Sequence, residues 1–141
     1  MRNCFPIALL SYRFLVMSAN DFTHPIDKAQ RVQAAIESHF AWFDRIKQTI
    51  TSGTSEFTPA EVAVTETCDL GHWLQESFRS YCPDPAVMAA IERVHHEFHL
   101  RASAALDIAL RGDNSTACRA IALGSELSNL SGKLVVLLRS M

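Results

Sequence analysis

The chain has 141 residues, 48% of them hydrophobic and 20% charged, and a formal net charge of -2. That length suits one domain with its own core, and the charge balance leaves no basic footprint for nucleic acid or an anionic membrane surface. No apolar run approaches the roughly 20 residues a transmembrane helix needs.

The first 20 residues differ from the rest. An apolar stretch from Cys4 to Met17 is interrupted by Arg13. Arg2 and the Ser18-Ala19 pair suit the ends of a secretory signal, but a charge inside the apolar part does not. A docking segment and a true start at Met17 are the alternatives. Residues 1–20 are therefore set aside as an N-terminal extension, and residues 21–141 are expected to form the folded domain.

Within that domain the apolar spacing predicts four main helices. The first runs from Ile26 to Ile50 through Val32, Ile36, Phe43 and Ile46. The Thr-, Ser- and Gly-rich stretch 51–59 reads as a loop, and a short element covers Pro59–Val64. The second helix runs from about Cys68 to Tyr81, with Leu70, Trp73, Leu74 and Phe78 on one side. Asp84 and Pro85 have the chemistry of an N-cap and first helical residue for the third helix, which extends to Arg111. The fourth runs from Thr116 to the C-terminus. No alternating strand pattern of useful length occurs. Four helices with short connecting segments make an all-α, antiparallel four-helix bundle the economical architecture.

Three histidines crowd the third helix, at 95, 96 and 99. At about 100° per residue, Val87, Ile91, Val94, Phe98 and Ala102 form its apolar stripe. His95 and His99 lie on one edge of that stripe and His96 faces water. Residues four apart point the same way, so His95 and His99 can converge on one ion, or can simply be a titrating surface pair. His39 sits near the centre of the first helix's stripe. It reads either as a core histidine bonded to a carbonyl or as a third donor, since bundles build ion sites from inward side chains on facing helices. Cys68, at the start of the second helix, is the natural fourth donor, because unpaired amides there favour a thiolate. Its other reading is a small buried hydrophobe. His72 and Glu76 faintly suggest a hemerythrin-like di-iron bundle, but the wheel puts His72 on the outward side of its helix. Cys82 and Cys118 fit structural roles. The four cysteines of the chain, at 4, 68, 82 and 118, form no close pairs, which favours a reduced, cytoplasmic setting over a disulfide framework.

Three motifs occur in order: "HFAW" from His39 to Trp42, "CDLGHWL" from Cys68 to Leu74, and the His95/His99 pair. Together they resemble the CZB domain, the chemoreceptor zinc-binding domain of bacteria, as a stand-alone member. The resemblance covers about residues 26–138. It implies a helical bundle, usually a homodimer, holding one Zn²⁺ by His39, Cys68, His95 and His99, with no such role for His72 or His96. It further implies regulation of chemotaxis signalling domains or diguanylate cyclases, and in some members the sensing of oxidants through the cysteine. No output module stands beside these motifs, so the resemblance points to a separate partner or to signalling through the dimer. A plain helical interaction protein is the alternative, and no nucleophile–base motif or phosphate loop suggests an enzyme.

Overall fold

The computed structural model describes residues 28–76, 82 and 84–141. Among them the fold is entirely helical, with six helices: α1 Lys28–Ser52, α2 Pro59–Ala63, α3 Asp69–Glu76, α4 Pro85–Leu110, α5 Asn114–Ala120 and α6 Glu126–Arg139. A single 3₁₀ turn, Thr65–Thr67, joins α2 to α3. The N-terminal extension and the expected end of the second helix at Tyr81 lie outside the described residues.

Two long helices carry the frame. His39 of α1 packs on His95 of α4, with ring centroids 5.0 Å apart, and Phe43 packs on Phe98 at 6.2 Å. Both sequences advance together, so α1 and α4 run in the same direction. The ammonium of Lys28, at the start of α1, donates to the main-chain oxygen of Met141 just beyond α6. Helix α6 therefore runs opposite to α1. The arrangement is that of an up-and-down bundle, with α1 and α4 parallel and α6 running against both. Its core is built from Ile46, Leu70, Ile91, Phe98, Leu106, Leu127, Leu134 and Leu138, each no more than 2% exposed.

Local chemistry sets most helix ends where the spacing places them. The Asp84 side chain accepts the Ala86 amide at 2.8 Å and Pro85 opens α4. Proline is tolerated there because a first-turn N–H has no intrahelical partner anyway. The short element around Pro59–Val64 is α2, closed by a capping box. Thr58 Oγ1 accepts the Glu61 amide, and the Glu61 carboxylate accepts the Thr58 amide.

The fourth helix departs from expectation. It is two helices, α5 and α6, separated by a turn at 121–125. Gly124 takes φ +83°, a left-handed conformation that glycine adopts without a Cβ clash. Ser125 then restarts the chain as the N-cap of α6, accepting the Ser128 amide at 3.2 Å. Buried residues recur at helical spacing on each side of the break, Ala117 and Ile121 before it and Leu127, Leu130, Leu134 and Leu138 after it, which is why spacing alone reads it as one helix.

Candidate metal centre

His95 and His99 lie one turn apart on α4 and are 2% and 1% exposed. The wheel puts them at an edge of the apolar face; the structure buries them fully, because α2 covers that flank. His39 enters from α1 at 2% exposure, with its ring edge-on to His95, Phe98 and His99. His96 and His72 are both exposed, as is Glu76, and no carboxylate joins the histidine cluster among the described residues. The di-iron reading therefore finds no support in the arrangement of these side chains.

Cys68 arrives by a different route. It is the residue before α3, with an extended backbone, and its carbonyl accepts the first helical amide, that of His72, at 3.0 Å. Its Sγ accepts the Gly71 amide at 3.2 Å. A serine or aspartate at an N-cap bonds the third helical N–H in the same way, so Cys68 caps α3 with sulfur in place of oxygen. Gly71 is required for a second reason. A Cβ at this position would sit 1.9 Å from the Thr65 carbonyl oxygen, so any side chain would push the 3₁₀ turn off the start of α3. The Cys-x-x-Gly spacing thus combines the sulfur, the amide that orients it and the close approach of the preceding turn.

The four side chains converge. One donor atom from each of His39, Cys68, His95 and His99 lies within 4.8 Å of the other three. Cys68 Sγ and His95 Nε2 are 3.1 Å apart. Donors about 2.0–2.3 Å from a tetrahedral zinc stand about 3.3–3.6 Å from one another, so modest side-chain adjustments complete such a set. His39 Nδ1–H donates to the Ala35 carbonyl at 2.8 Å, and His99 Nδ1–H to the Val62 carbonyl at 2.6 Å. Those bonds fix the tautomer and leave each Nε2 with its lone pair directed into the protein. Both Nε2 atoms are buried without a hydrogen-bond partner. Buried polar atoms are rarely orphaned in folded proteins, and two in one cluster, beside a sulfur, fit a cation bound between them.

The electrostatics favour neutral rings. Burial lowers the pKa of His39 to about 4, against the Ala35 carbonyl bond that raises it. Burial lowers His95 to about 2, with further contributions from His39, His99 and His96, and it lowers His99 too, opposed by Val62. At neutral pH all three therefore present lone pairs and not protons. Cys68 corrects the expectation of a depressed thiol. Burial pushes it up and outweighs the Gly71 and Leu70 amides that pull it down. The helix N-terminus does act on the sulfur, but desolvation is the larger effect, so a cation is needed to hold the thiolate.

Residues 39–106 match the family model of the chemoreceptor zinc-binding domain. This part of the chain is a CZB domain. The match begins at His39 and passes beyond His99, so it contains all four converging side chains, and zinc is its metal. Imidazole and thiolate together suit that ion. No curated protein and no solved structure matches the chain.

The shell around these side chains comes partly from the motifs, whose tryptophans are expected to pack around the site, and partly from the stretch before α3. Trp42 of the His-x-x-Trp motif packs edge-on to His99 at 6.2 Å and to Phe57 at 5.2 Å. The Arg45 guanidinium lies 4.5 Å from the Trp42 ring centroid and 4.9 Å from that of Phe57, closing the stack from outside. Phe57 and Val62 come from the stretch between α1 and α3, whose composition signals only a loop and a short helix.

Proposed function

We propose that this chain is a zinc-responsive regulatory module in which His39, Cys68, His95 and His99 hold one zinc ion per chain. The observation that carries the reading is the convergence of these four donor atoms within 4.8 Å, with the Nε2 atoms of His39 and His99 buried and otherwise unpartnered. His95 and His99 form a two-point clamp on one rigid helix, and His39 ties α1 to it. Cys68 supplies the negative charge and tethers the start of α3. When bound, zinc would cross-link the three segments. Four protein donors fill a tetrahedral ion, whereas catalytic zinc keeps a position for water or substrate; the module is therefore regulatory and not an enzyme.

Two inputs reach the same sulfur. Cys68 is the one donor residue of the four that is not fully buried. Falling zinc supply empties the site, and oxidation of the sulfur removes the anionic donor. Either event frees the segment before α3 from the long helices. The output passes to a separate signalling protein of the chemoreceptor or diguanylate cyclase type in the cytoplasm, with a homodimer of this chain as the acting unit. The family's description as a chemoreceptor domain supports this output, and no helix among the described residues is long and apolar enough to cross a membrane.

Metal analysis tests the reading. Protein purified without a chelator or a metal-binding tag is expected to carry one zinc per chain by mass spectrometry. Metal-free protein whose melting does not respond to added zinc would make it a plain helical interaction protein. Coloured protein with a pair of irons and near-ultraviolet oxo bands would make it a di-iron bundle.

A further inference from the structure

His95, His99 and Ser103 are spaced by four along α4, so they occupy one face of that helix. Helix α2 lies on this face in the opposite sense. Its Val62 carbonyl accepts from His99 Nδ1 at 2.6 Å, and its Pro59 carbonyl accepts from Ser103 Oγ at 2.6 Å. The Val62 carbonyl belongs to the last turn of α2, where no amide of the same helix can reach it. It is thus an acceptor left over by a five-residue helix and used by a candidate zinc donor. An isolated helix of this length is unstable, so its docking rests on its capping box and on its contacts with α4. Val62 itself is 1% exposed.

We infer that Ser103 is a positioning residue for the metal centre: its hydroxyl latches the Pro59 carbonyl, seats α2 in register on α4, and so holds the Val62 carbonyl against His99 Nδ1–H. Ser103 touches no donor atom. It acts through α2, by fixing the tautomer and ring orientation of His99. A carbonyl on Nδ1–H also raises the basicity of Nε2, and loss of such a partner typically weakens a metal site about 10–100-fold. The coupling is reciprocal. A cation on Nε2 makes Nδ1–H a stronger donor, so an occupied site holds α2 down more firmly than an empty one. Helix α2 is thereby the element whose docking reports occupancy, and Ser103 with the capping residues Thr58 and Glu61 sets how firmly it does so. This inference rests on His99 being a zinc donor.

The experiment uses the full chain loaded with zinc. It follows the rate of zinc transfer to an excess of a chromophoric chelator and, by NMR, the Nδ1–H resonance of His99. Ser103→Ala is expected to release zinc about tenfold faster, the lower end of the range for lost outer partners, with the His99 Nδ1–H proton moving upfield and exchanging faster with water. Ser103→Thr keeps the hydroxyl and is expected to stay close to the parent in both readouts. Glu61→Ala removes an exposed half of the capping box and is expected to act in the same direction as Ser103→Ala, which decides the matter if the latter does not fold. Parent-like release with an unchanged His99 resonance in both variants would overturn the positioning role. His99→Ala separates the two readings. If that variant keeps its zinc, the donor assignment falls and this inference with it; if it loses zinc while Ser103→Ala behaves as the parent, this inference alone falls.

Discussion

The long-helix half of the candidate site and its Cys68 half are built on opposite principles. On α1 and α4, three imidazoles are held by helices of 25 and 26 residues whose apolar faces make the bundle core. Core packing along those helices fixes the backbone that carries them. Cys68 is delivered by α2, a 3₁₀ turn and the first residue of α3's cap, elements of five, three and eight residues. Helices α2 and α3 bury Val62, Leu70, Trp73 and Leu74 in the core, but Cys68 lies between them, where single hydrogen bonds and the missing side chain of Gly71 set its position. The difference teaches where a signal can originate. In the function proposed above, the sulfur is the donor whose release would be transmitted, since it alone stands outside the two long helices.

The strongest way to break this comparison is to remove one donor from each half. Cys68→Ala and His99→Ala are each expected to reduce zinc content to near zero, since each removes one of the four donors that fill a tetrahedral ion. Hydrogen exchange then distinguishes the halves. In Cys68→Ala, the amides of residues 54–70 are expected to lose protection while those in the middle of α1 and α4 keep theirs. Uniform loss across the bundle would show that the two halves are one cooperative unit.

Gly71→Ala attacks the lightly held half without touching a donor. The added Cβ meets backbone at 1.9 Å, so the 3₁₀ turn must shift, at a cost of about 1–3 kcal/mol if overpacking behaves as it does in cores. Lower thermal stability together with weaker zinc binding is expected. Unchanged zinc affinity would mean that the turn does not position Cys68.

Acid acts on the rigid half. In the unfolded chain the imidazoles titrate near 6.5; in the fold His39 does so at about 4 and His95 at about 2, and His99 is also lowered. The unfolded state therefore binds more protons below pH 6.5, and stability, full above that value, falls as the pH drops through it. Metal-free protein is expected to melt progressively lower from pH 7.5 to 5, and zinc affinity to fall over the same range as protons compete for the nitrogens. A melting temperature that holds constant or rises on acidification would mean that the rings are not buried in neutral form.

The smallest effects are expected at His96 and His72. Both are exposed, so replacing either by alanine is expected to change stability by no more than about 0.5 kcal/mol and to leave zinc stoichiometry intact. Zinc loss in the His96 variant would reverse the assignment of faces on α4.

How much of this was legible in the sequence follows from the range of the forces involved. The 3.6-residue period separates His95 and His99 from His96, and places His39 inside α1, because a helix face is a property of spacing alone. The caps at Asp84 and Pro85 are equally local. The break between α5 and α6 is not legible because each flanking helix has its own apolar spacing, and a gap of a few residues between two such stretches does not by itself signal a turn. Full burial of His99 is not legible because a neighbouring helix supplies it. The raised pKa of Cys68 is not legible, since a helix N-terminus can be read from the chain but the depth at which it is buried cannot.

The sequence by itself determined the helical class, the faces of α1 and α4 and the identity of the side chains able to bind a metal, because periodicity and side-chain chemistry act within a few residues. Only the tertiary structure decided that those side chains meet, that α2 lies across α4 with its free carbonyl on His99, and that burial outweighs the helix terminus at Cys68. Each of these depends on groups 27 to 37 residues apart in the chain, or on exclusion of water by segments whose position no local pattern encodes.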